Sequence, residues 1–273
     1  MTTGRQLEEN LRSLNGHEIK LFLKLFGKRR PVHLKTVVKS PNVDHSEIRD
    51  YYDREYYKNV RNESVPNHYR RLVRHFEPWQ HKRVLDVACG SGPWLRAVAD
   101  LGAIPAGVDI SQVALDACKR VLPSAELHCG LAESLPFANG EFDFISCLGA
   151  LEHFRDPHAA LREMVRVAKP EALFLLLVPN ADFLSRRLGL YSGTQQTAVR
   201  EEVLTLEGWQ ELFESVGLHI RYRWRDLHVL SLSWIFRGRW FGWPLRAAQA
   251  LALPFWPLSW QYQVYHLCTL RRQ

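Results

Sequence analysis

The chain has 273 residues, of which 46% are hydrophobic and 24% are charged, and its formal net charge is +7. That length allows one elaborated domain or two small ones with a buried core, and the composition excludes disorder and a collagen-like repeat. The five cysteines are scattered without a C-x-x-C pair, which argues against a disulfide framework and a zinc site. We therefore expect a folded protein in a reducing, cytoplasmic compartment.

Charge is unevenly distributed along the chain. Residues 1–83 carry 18 Lys and Arg against 10 Asp and Glu, residues 84–226 carry 13 against 19, and residues 227–273 carry five against none. The basic flanks predict attraction to phospholipid, nucleic acid or a phosphorylated substrate, unless they are solvated helix faces without a partner. Neither a secretory signal nor a run of 18 apolar residues occurs, so we expect a protein that is soluble or bound at a membrane surface.

Residues 1–83 are predicted to form an N-terminal helical segment that acts as a lid or cap. Its first part, around Ile19–Phe26, has apolar residues at helical spacing and lysines elsewhere on the wheel, which predicts a basic amphipathic helix. A second helix is predicted to be capped near Asp44 and to carry four tyrosines at 51, 52, 56 and 57. These tyrosines could close over a bound ligand or take part in ordinary helix packing.

The middle of the chain alternates short apolar runs with helical patterns, which predicts an α/β fold with a doubly wound sheet. The predicted strands are Val84–Ala88, Ala106–Asp109, Leu127–Cys129, Phe142–Cys147, Ala172–Val178 and Leu218–Trp224. The predicted helices are Trp94–Ala99, Val113–Arg120, one that begins after Asp156-Pro157, and Leu204–Val216.

A Trp-rich stretch, residues 227–260, interrupts this pattern before Tyr262–Leu270 resumes as a last strand. It contains tryptophans, prolines and three arginines but no acidic residue. This composition is typical of an anchor in the membrane interface, and it also suits a lid or the wall of a large apolar pocket. Core packing against the sheet is the remaining alternative.

The stretch from Val84 to Gly92 carries the main chemical signal. A buried strand leads into a glycine-rich turn, where backbone N–H groups can approach a ligand at a helix N-terminus. A dinucleotide site would have G-x-G-x-x-G, but Leu95 follows where the third glycine belongs. Asp86 within the strand would repel a pyrophosphate and suits a ligand with an ammonium group.

The runs VLDVACGSG, GVDIS, GLAESLPF, FDFISCLGALEHFRDP and LFLLLVPN occur in order over residues 84–180. In this order and spacing the sequence resembles the class I S-adenosylmethionine-dependent methyltransferases, in the branch that includes ubiquinone and menaquinone biosynthetic enzymes. The resemblance implies a Rossmann-like, seven-stranded sheet of order 3-2-1-4-5-7-6 with strand 7 antiparallel. Residues 84–273 would then form the methyltransferase core, and residues 227–260 an insertion in it.

The resemblance also implies a cofactor site for S-adenosylmethionine. Asp86 and the backbone of Ala88, Gly90 and Gly92 would hold its methionine part, and the carboxylate of Asp109 would accept both ribose hydroxyls. A strand-end acid that caps the next helix is the alternative for Asp109. The remaining implied contacts are Ile110 on adenine, Leu131, Ala132 and Glu133 at the adenine edge, and Leu148 with Gly149 beneath the transferred methyl. Leu131 departs from the family, which often has an aspartate there.

His153 is the candidate catalytic residue. It follows the fourth strand at the edge of the sheet where ligands bind in open α/β folds, and imidazole has a suitable pKa for a general base. The alternative is that His153 orients the loop together with Glu152. Neither a metal cluster nor a [DN]-P-P-[FY] run after the fifth strand is present, which argues against metal-dependent catalysis and weakens a nucleic-acid substrate.

From the sequence we expect methyl transfer from S-adenosylmethionine to a small, lipophilic acceptor such as a quinone, polyketide or lipid-linked intermediate. We expect peripheral contact with the inner face of a membrane through residues 227–260 and the basic N-terminal helix. The alternatives are a methyltransferase-like protein that binds without turnover, and an enzyme that modifies RNA or protein.

Overall fold

A computed structural model of the chain describes residues 45–58, 65–187, 202–226, 236 and 240–271. The predicted helix around residues 19–26, the cap near residue 44 and part of the Trp-rich stretch lie outside these ranges. The described residues belong to one compact unit, Pro41–Gln273.

Seven strands form one sheet of order β3-β2-β1-β4-β5-β7-β6, as the sequence predicts. The strands are β1 Arg83–Val87, β2 Ile104–Asp109, β3 Glu126–Cys129, β4 Phe142–Leu148, β5 Ala168–Pro179, β6 Leu218–Arg225 and β7 Gln263–Leu270. Strands β1 to β5 pair in parallel, and β7 runs antiparallel to both β5 and β6.

Helices precede and connect the strands. They are α1 His45–Tyr51, α2 Asn67–Leu72, α3 Pro93–Ala99, α4 Gln112–Val121, α5 Pro157–Val167, α6 Leu184–Arg187, α7 Leu206–Ser215 and α8 Trp243–Ala252. The predicted cap of α5 is confirmed, because the Asp156 carboxylate accepts a hydrogen bond from the backbone N–H of Ala159 at 2.8 Å. A π-helical turn, Tyr52–Tyr56, continues α1.

Both faces of the sheet are covered, since residues along β1 point alternately to two buried clusters. Leu85 and Val87 pack with α5 and α7, whereas Val84 packs with Trp94 of α3 on the opposite face. The central strands are therefore buried on both faces, and a ligand can reach them only at the ends of the sheet.

Tight turns at the carboxyl end of β1 depend on glycine. Gly92 has φ +79°, and a Cβ atom there would clash with the Cys118 sulfur on α4. Gly92 is therefore required by its backbone conformation and by the packing of α4. The sequence assigns this glycine to ligand approach alone and does not reveal the constraint from Cys118.

Candidate functional site

A cavity of about 190 Å³ opens at the carboxyl ends of β1, β2 and β4. Nine of the cofactor-site and catalytic residues predicted from the sequence line it: Ala88, Asp109, Ile110, Leu131, Ala132, Glu133, Leu148, Gly149 and His153. Its other walls include His45, Ile48, Tyr52, Tyr56 and Tyr57, from α1 and the turn after it. The structure thus brings residues from five separate stretches of sequence to one site.

Asp109 is the best-defined polar group of the cavity. It ends β2 and is 4% exposed, and its two oxygens accept hydrogen bonds from the backbone N–H groups of Gly90 (2.7 Å) and Ser111 (2.9 Å). Burial raises the pKa of this carboxyl group, and the backbone donors oppose that rise. Each carboxylate oxygen has a second lone pair, so Asp109 can still accept two hydroxyl groups from a ligand.

Asp86, Gly90 and Gly92 are not among the described residues that line the cavity. Asp86 is 4% exposed and accepts a hydrogen bond from the Ser146 hydroxyl at 2.6 Å. Burial raises its pKa from 3.8 to about 7, against the lowering effect of Ser146. Asp86 is therefore a buried carboxyl beside the site, and its charge would be stabilised by a cation brought to the turn.

Gly90 lies beneath the hydroxyl group of Tyr57. A Cβ atom built on Gly90 would lie 2.7 Å from the Tyr57 Oη, and Gly90 has φ +54°. The close approach at this glycine is therefore made by a side chain of the N-terminal segment. Burial raises the pKa of Tyr57, with nearby Asp109 adding to the effect, so the phenol stays protonated and can donate a hydrogen bond.

The tyrosines are held over the cavity by Asp53. The Ser111 hydroxyl donates a hydrogen bond to Asp53 Oδ1 at 2.5 Å and accepts one from the backbone N–H of Ala114 at 3.1 Å. Asp53 also accepts a bond from the backbone N–H of Val113 at 3.3 Å. The π-helical turn is thus attached to the N-terminus of α4, directly after the predicted ribose ligand Asp109.

His153 and Glu152 lie in a short 3₁₀ turn after β4, Leu151–His153. The His153 side chain is 15% exposed, and its Nε2 lies 3.9 Å from Glu152 Oε1. His153 lines the cavity, and Glu152 is close enough to influence its orientation and charge. This geometry accommodates both sequence interpretations of His153, as a substrate contact and as a residue that orients the loop.

Two polar residues near the site have structural partners. Glu133 Oε1 accepts a hydrogen bond from the backbone N–H of Asp156 at 3.2 Å, which links the adenine edge predicted from the sequence to the start of α5. The Asn180 amide after β5 is 1% exposed and donates to the carbonyls of Ser259 (2.8 Å) and Gln261 (3.3 Å). Asn180 therefore holds the chain before β7, and it does not line the cavity.

The residues around the cavity fit S-adenosylmethionine. Asp109 offers free acceptor capacity for two vicinal hydroxyls, and Ile110, Leu131 and Ala132 supply an apolar wall for a planar base. The buried carboxyl of Asp86, beside the turn, matches an ammonium group. Among the described residues, no group of three or more His, Cys, Asp or Glu is arranged to hold a metal ion.

Comparisons with known proteins agree with this geometry. Residues 85–176 match a family model described as a methyltransferase domain. The uncharacterized methyltransferase YcgJ of Bacillus subtilis (strain 168) is 31% identical over 167 residues, which cover 57% of this chain and 65% of that protein. The ubiquinone biosynthesis O-methyltransferase of Thiobacillus denitrificans is 37% identical over 98 residues, which cover 34% of this chain and 42% of that protein.

Among solved structures, the [4+2]-cyclase SpnF superposes with a TM-score of 0.58 at 19% identity, over 85% of this chain and 99% of that chain. That likeness concerns the fold alone. The present chain spans less than two thirds of the length of the curated relatives described above. The sheet order agrees with the fold that the sequence resemblance implies, and residues 85–176 of this chain are similar to the methyltransferase domain.

Proposed function

We propose that this protein transfers a methyl group from S-adenosylmethionine to a small, lipophilic acceptor. The observation that carries the proposal is the position of Asp109, a buried carboxylate with free acceptor capacity in a cavity beside a glycine-rich turn. S-adenosylmethionine supplies a methyl group that is already activated by its sulfonium. The protein therefore needs chiefly to align an acceptor with that methyl group and to exclude water.

Water exclusion is supported by the tyrosines over the cavity. Tyr52, Tyr56 and Tyr57 line it together with Ile48, and Asp53 connects their turn to α4. Burial raises the pKa of all three phenols, so they remain neutral at physiological pH. A wall of neutral aromatic rings favours an uncharged, apolar acceptor over a phosphorylated one.

The acceptor class is supported further by similarity. The relative from Thiobacillus denitrificans is named for O-methylation in ubiquinone biosynthesis, and its similarity covers about a third of this chain. We propose a quinone, polyketide or lipid-linked intermediate as the acceptor, met at a membrane surface by a protein of the cytoplasm. In the described ranges, no helix has both the length and the apolar character needed to cross a bilayer.

A labelling experiment tests this proposal. The protein is incubated with methyl-labelled S-adenosylmethionine and a cell extract, and the products are partitioned into organic, nucleic-acid and protein fractions. We expect label in the organic fraction, because three tyrosines and Ile48 form one wall of the cavity. Label confined to RNA or protein would contradict the lipophilic acceptor. Cofactor binding without any transfer would favour a binding role or a different reaction on this fold, as the structural neighbour SpnF, a [4+2]-cyclase, illustrates.

We propose His153 as the residue that receives the acceptor proton, if the acceptor atom is a hydroxyl oxygen. Replacing His153 with Gln is expected to lower kcat by about 100-fold or more while leaving the Kd for S-adenosylmethionine within about twofold. His75→Gln, in the segment before β1, is the control. An unchanged kcat in H153Q would leave His153 with the loop-orienting role only.

A further inference from the structure

The end of the Trp-rich stretch exposes a continuous apolar face. Helix α8 is flanked by two 3₁₀ turns, Trp240–Gly242 and Leu253–Phe255. The exposed residues with described side chains in this region are all apolar: Trp240, Pro244, Ala248, Leu251 and Phe255. We call this set the apolar stripe. Pro244, Ala248 and Leu251 lie on α8 at spacings of 4 and 3 residues, which keeps them on one side of that helix, within an arc of about 60°, and Trp240 and Phe255 lie in the two flanking turns.

Exposure along the apolar stripe is large. Trp240 is 74% exposed, Leu251 75% and Phe255 88%. The opposite side of the same segment is already used for packing, since Ala250 and Leu253 are buried. The segment is therefore apolar both toward the protein and toward solvent. A large, continuous exposed apolar surface of this kind marks an interaction site rather than a core face.

Charge around the apolar stripe favours an anionic surface as the partner. Residues 227–260 carry three arginines and no acidic residue, and one of the three, Arg246, belongs to α8 itself. Tryptophan and phenylalanine rings at the level of lipid headgroups, with arginines alongside, are the combination that holds a helix in the plane of a membrane interface. An acidic lipid surface satisfies the arginines and the aromatic rings at once.

The apolar stripe is rigidly attached to the sheet. The buried Gln261 amide donates a hydrogen bond to the carbonyl of Leu253 at 3.0 Å, and Asn180 donates to the carbonyls of Ser259 and Gln261. These bonds fix the segment to the residue that follows β5, at the carboxyl edge of the parallel strands. The cavity opens at that same edge.

We propose that the apolar stripe is the surface by which this protein docks, parallel to the plane, on an anionic phospholipid bilayer. This proposal assigns particular residues to the membrane contact of the proposed function. It rests on the proposed function in one respect, because the purpose of the contact is access to a lipophilic acceptor. The docking surface itself needs neither cofactor nor acceptor. It follows from exposed apolar area, charge and attachment to the sheet.

The test is sedimentation of the full-length protein with sucrose-loaded vesicles, in the absence of S-adenosylmethionine. One set of vesicles contains phosphatidylglycerol and phosphatidylcholine, and the other contains phosphatidylcholine alone. We expect wild-type protein to bind the anionic vesicles at least tenfold more tightly than the neutral ones. The triple variant Trp240→Ser, Leu251→Ser, Phe255→Ser should lose at least tenfold in partitioning to the anionic vesicles.

Tyr222→Ser is the matched control, because Tyr222 is 68% exposed but lies on the edge strand β6. It should leave vesicle binding unchanged. All four replaced side chains are exposed, so the melting temperatures should stay close to wild type. Three results would overturn the proposal. The triple variant could bind anionic vesicles as well as wild type does, or wild type could bind neutral and anionic vesicles equally. The third is a wild-type protein that binds no vesicles but forms a dimer, which the triple variant abolishes. Vesicle binding without methyl transfer would instead contradict only the proposed function.

Discussion

Asp109→Ala is expected to weaken S-adenosylmethionine binding by about 100-fold or more. The carboxylate is proposed to accept two ribose hydroxyls, and hydrogen bonds to a charged group contribute about 1.5–3 kcal/mol each. Isothermal titration calorimetry on the purified protein measures the change directly, without knowledge of the acceptor. Methyl transfer should fall in parallel.

The same variant is expected to lose stability. Asp109 accepts hydrogen bonds from the backbone N–H groups of Gly90 and Ser111, and truncation leaves two buried donors without this partner. Each unsatisfied buried donor costs about 1–3 kcal/mol, so the free energy of unfolding should fall by about 2 kcal/mol or more. Denaturant titration at a temperature where both proteins are folded separates this loss from the loss of affinity.

Asp143→Ala is the matched control for Asp109→Ala. Asp143 also accepts a hydrogen bond from a backbone N–H, that of Arg83 at 2.9 Å, but it lies near the start of β4 at the opposite edge of the sheet. Its removal should lower stability and leave S-adenosylmethionine binding unchanged. Equal affinity of wild type and Asp109→Ala would mean that the cofactor binds elsewhere.

The sheet was largely predictable because its central strands are buried on both faces and read as apolar runs. The predicted positions of the strand ends were less accurate. The sequence predicts that β5 starts at Ala172, but β5 starts at Ala168. Ala168 already pairs with Phe142 across a register irregularity, which a pattern of hydrophobic residues does not reveal.

The residues that line the cavity were predictable where one short stretch of chain supplies several of them. Asp109 and Ile110 are neighbours, and so are Leu131 to Glu133, and all line the cavity. The contribution of the N-terminal tyrosines depends on tertiary contacts instead. Asp53 and Ser111 are 58 positions apart, and a hydrogen bond between their side chains holds the tyrosine turn near α4. Tyr57 reaches Gly90 from this turn. From the periodicity of the sequence, these tyrosines could equally form a lid over a ligand or take part in ordinary helix packing.

Asp86 should make the stability of the protein depend on pH in an unusual direction for a carboxyl group. Its folded-state pKa is raised from 3.8 to about 7 by burial, so between these values the folded protein binds a proton that the unfolded chain has released. The stabilisation from that proton is fully present below about pH 4 and is lost as the pH rises to about 7. Asp86→Asn, which is neutral at every pH, should remove this component, which amounts to as much as about 4 kcal/mol at about 1.4 kcal/mol per pKa unit.

Asp143→Asn should change the pH dependence of stability in the opposite direction. The pKa of Asp143 is lowered, because its hydrogen bonds to Lys169 and to the Arg83 backbone outweigh its burial. Its stabilisation is present above its ordinary pKa and is lost as the pH falls through the lower, folded-state value. Urea titrations of the wild type and both variants between about pH 2 and 8 distinguish the two slopes, because the slope from Asp143 lies below its ordinary pKa of 3.8 and the slope from Asp86 lies above it. A wild-type curve that matches that of Asp86→Asn throughout this range would contradict a raised pKa at Asp86.

Under the proposed function, the carboxyl group of Asp86 couples the binding of S-adenosylmethionine to the release of a proton. If the ammonium group of S-adenosylmethionine approaches the turn after β1, it favours the charged form of Asp86, and binding below pH 7 must then release a proton. Affinity should rise by up to about tenfold per pH unit as the pH increases from 5 to 7 and should level off above that. Calorimetry in two buffers of different ionisation enthalpy measures the released proton. In Asp86→Asn the proton release and the pH dependence should both disappear, whereas proton release that persists in this variant would assign the linkage to another group.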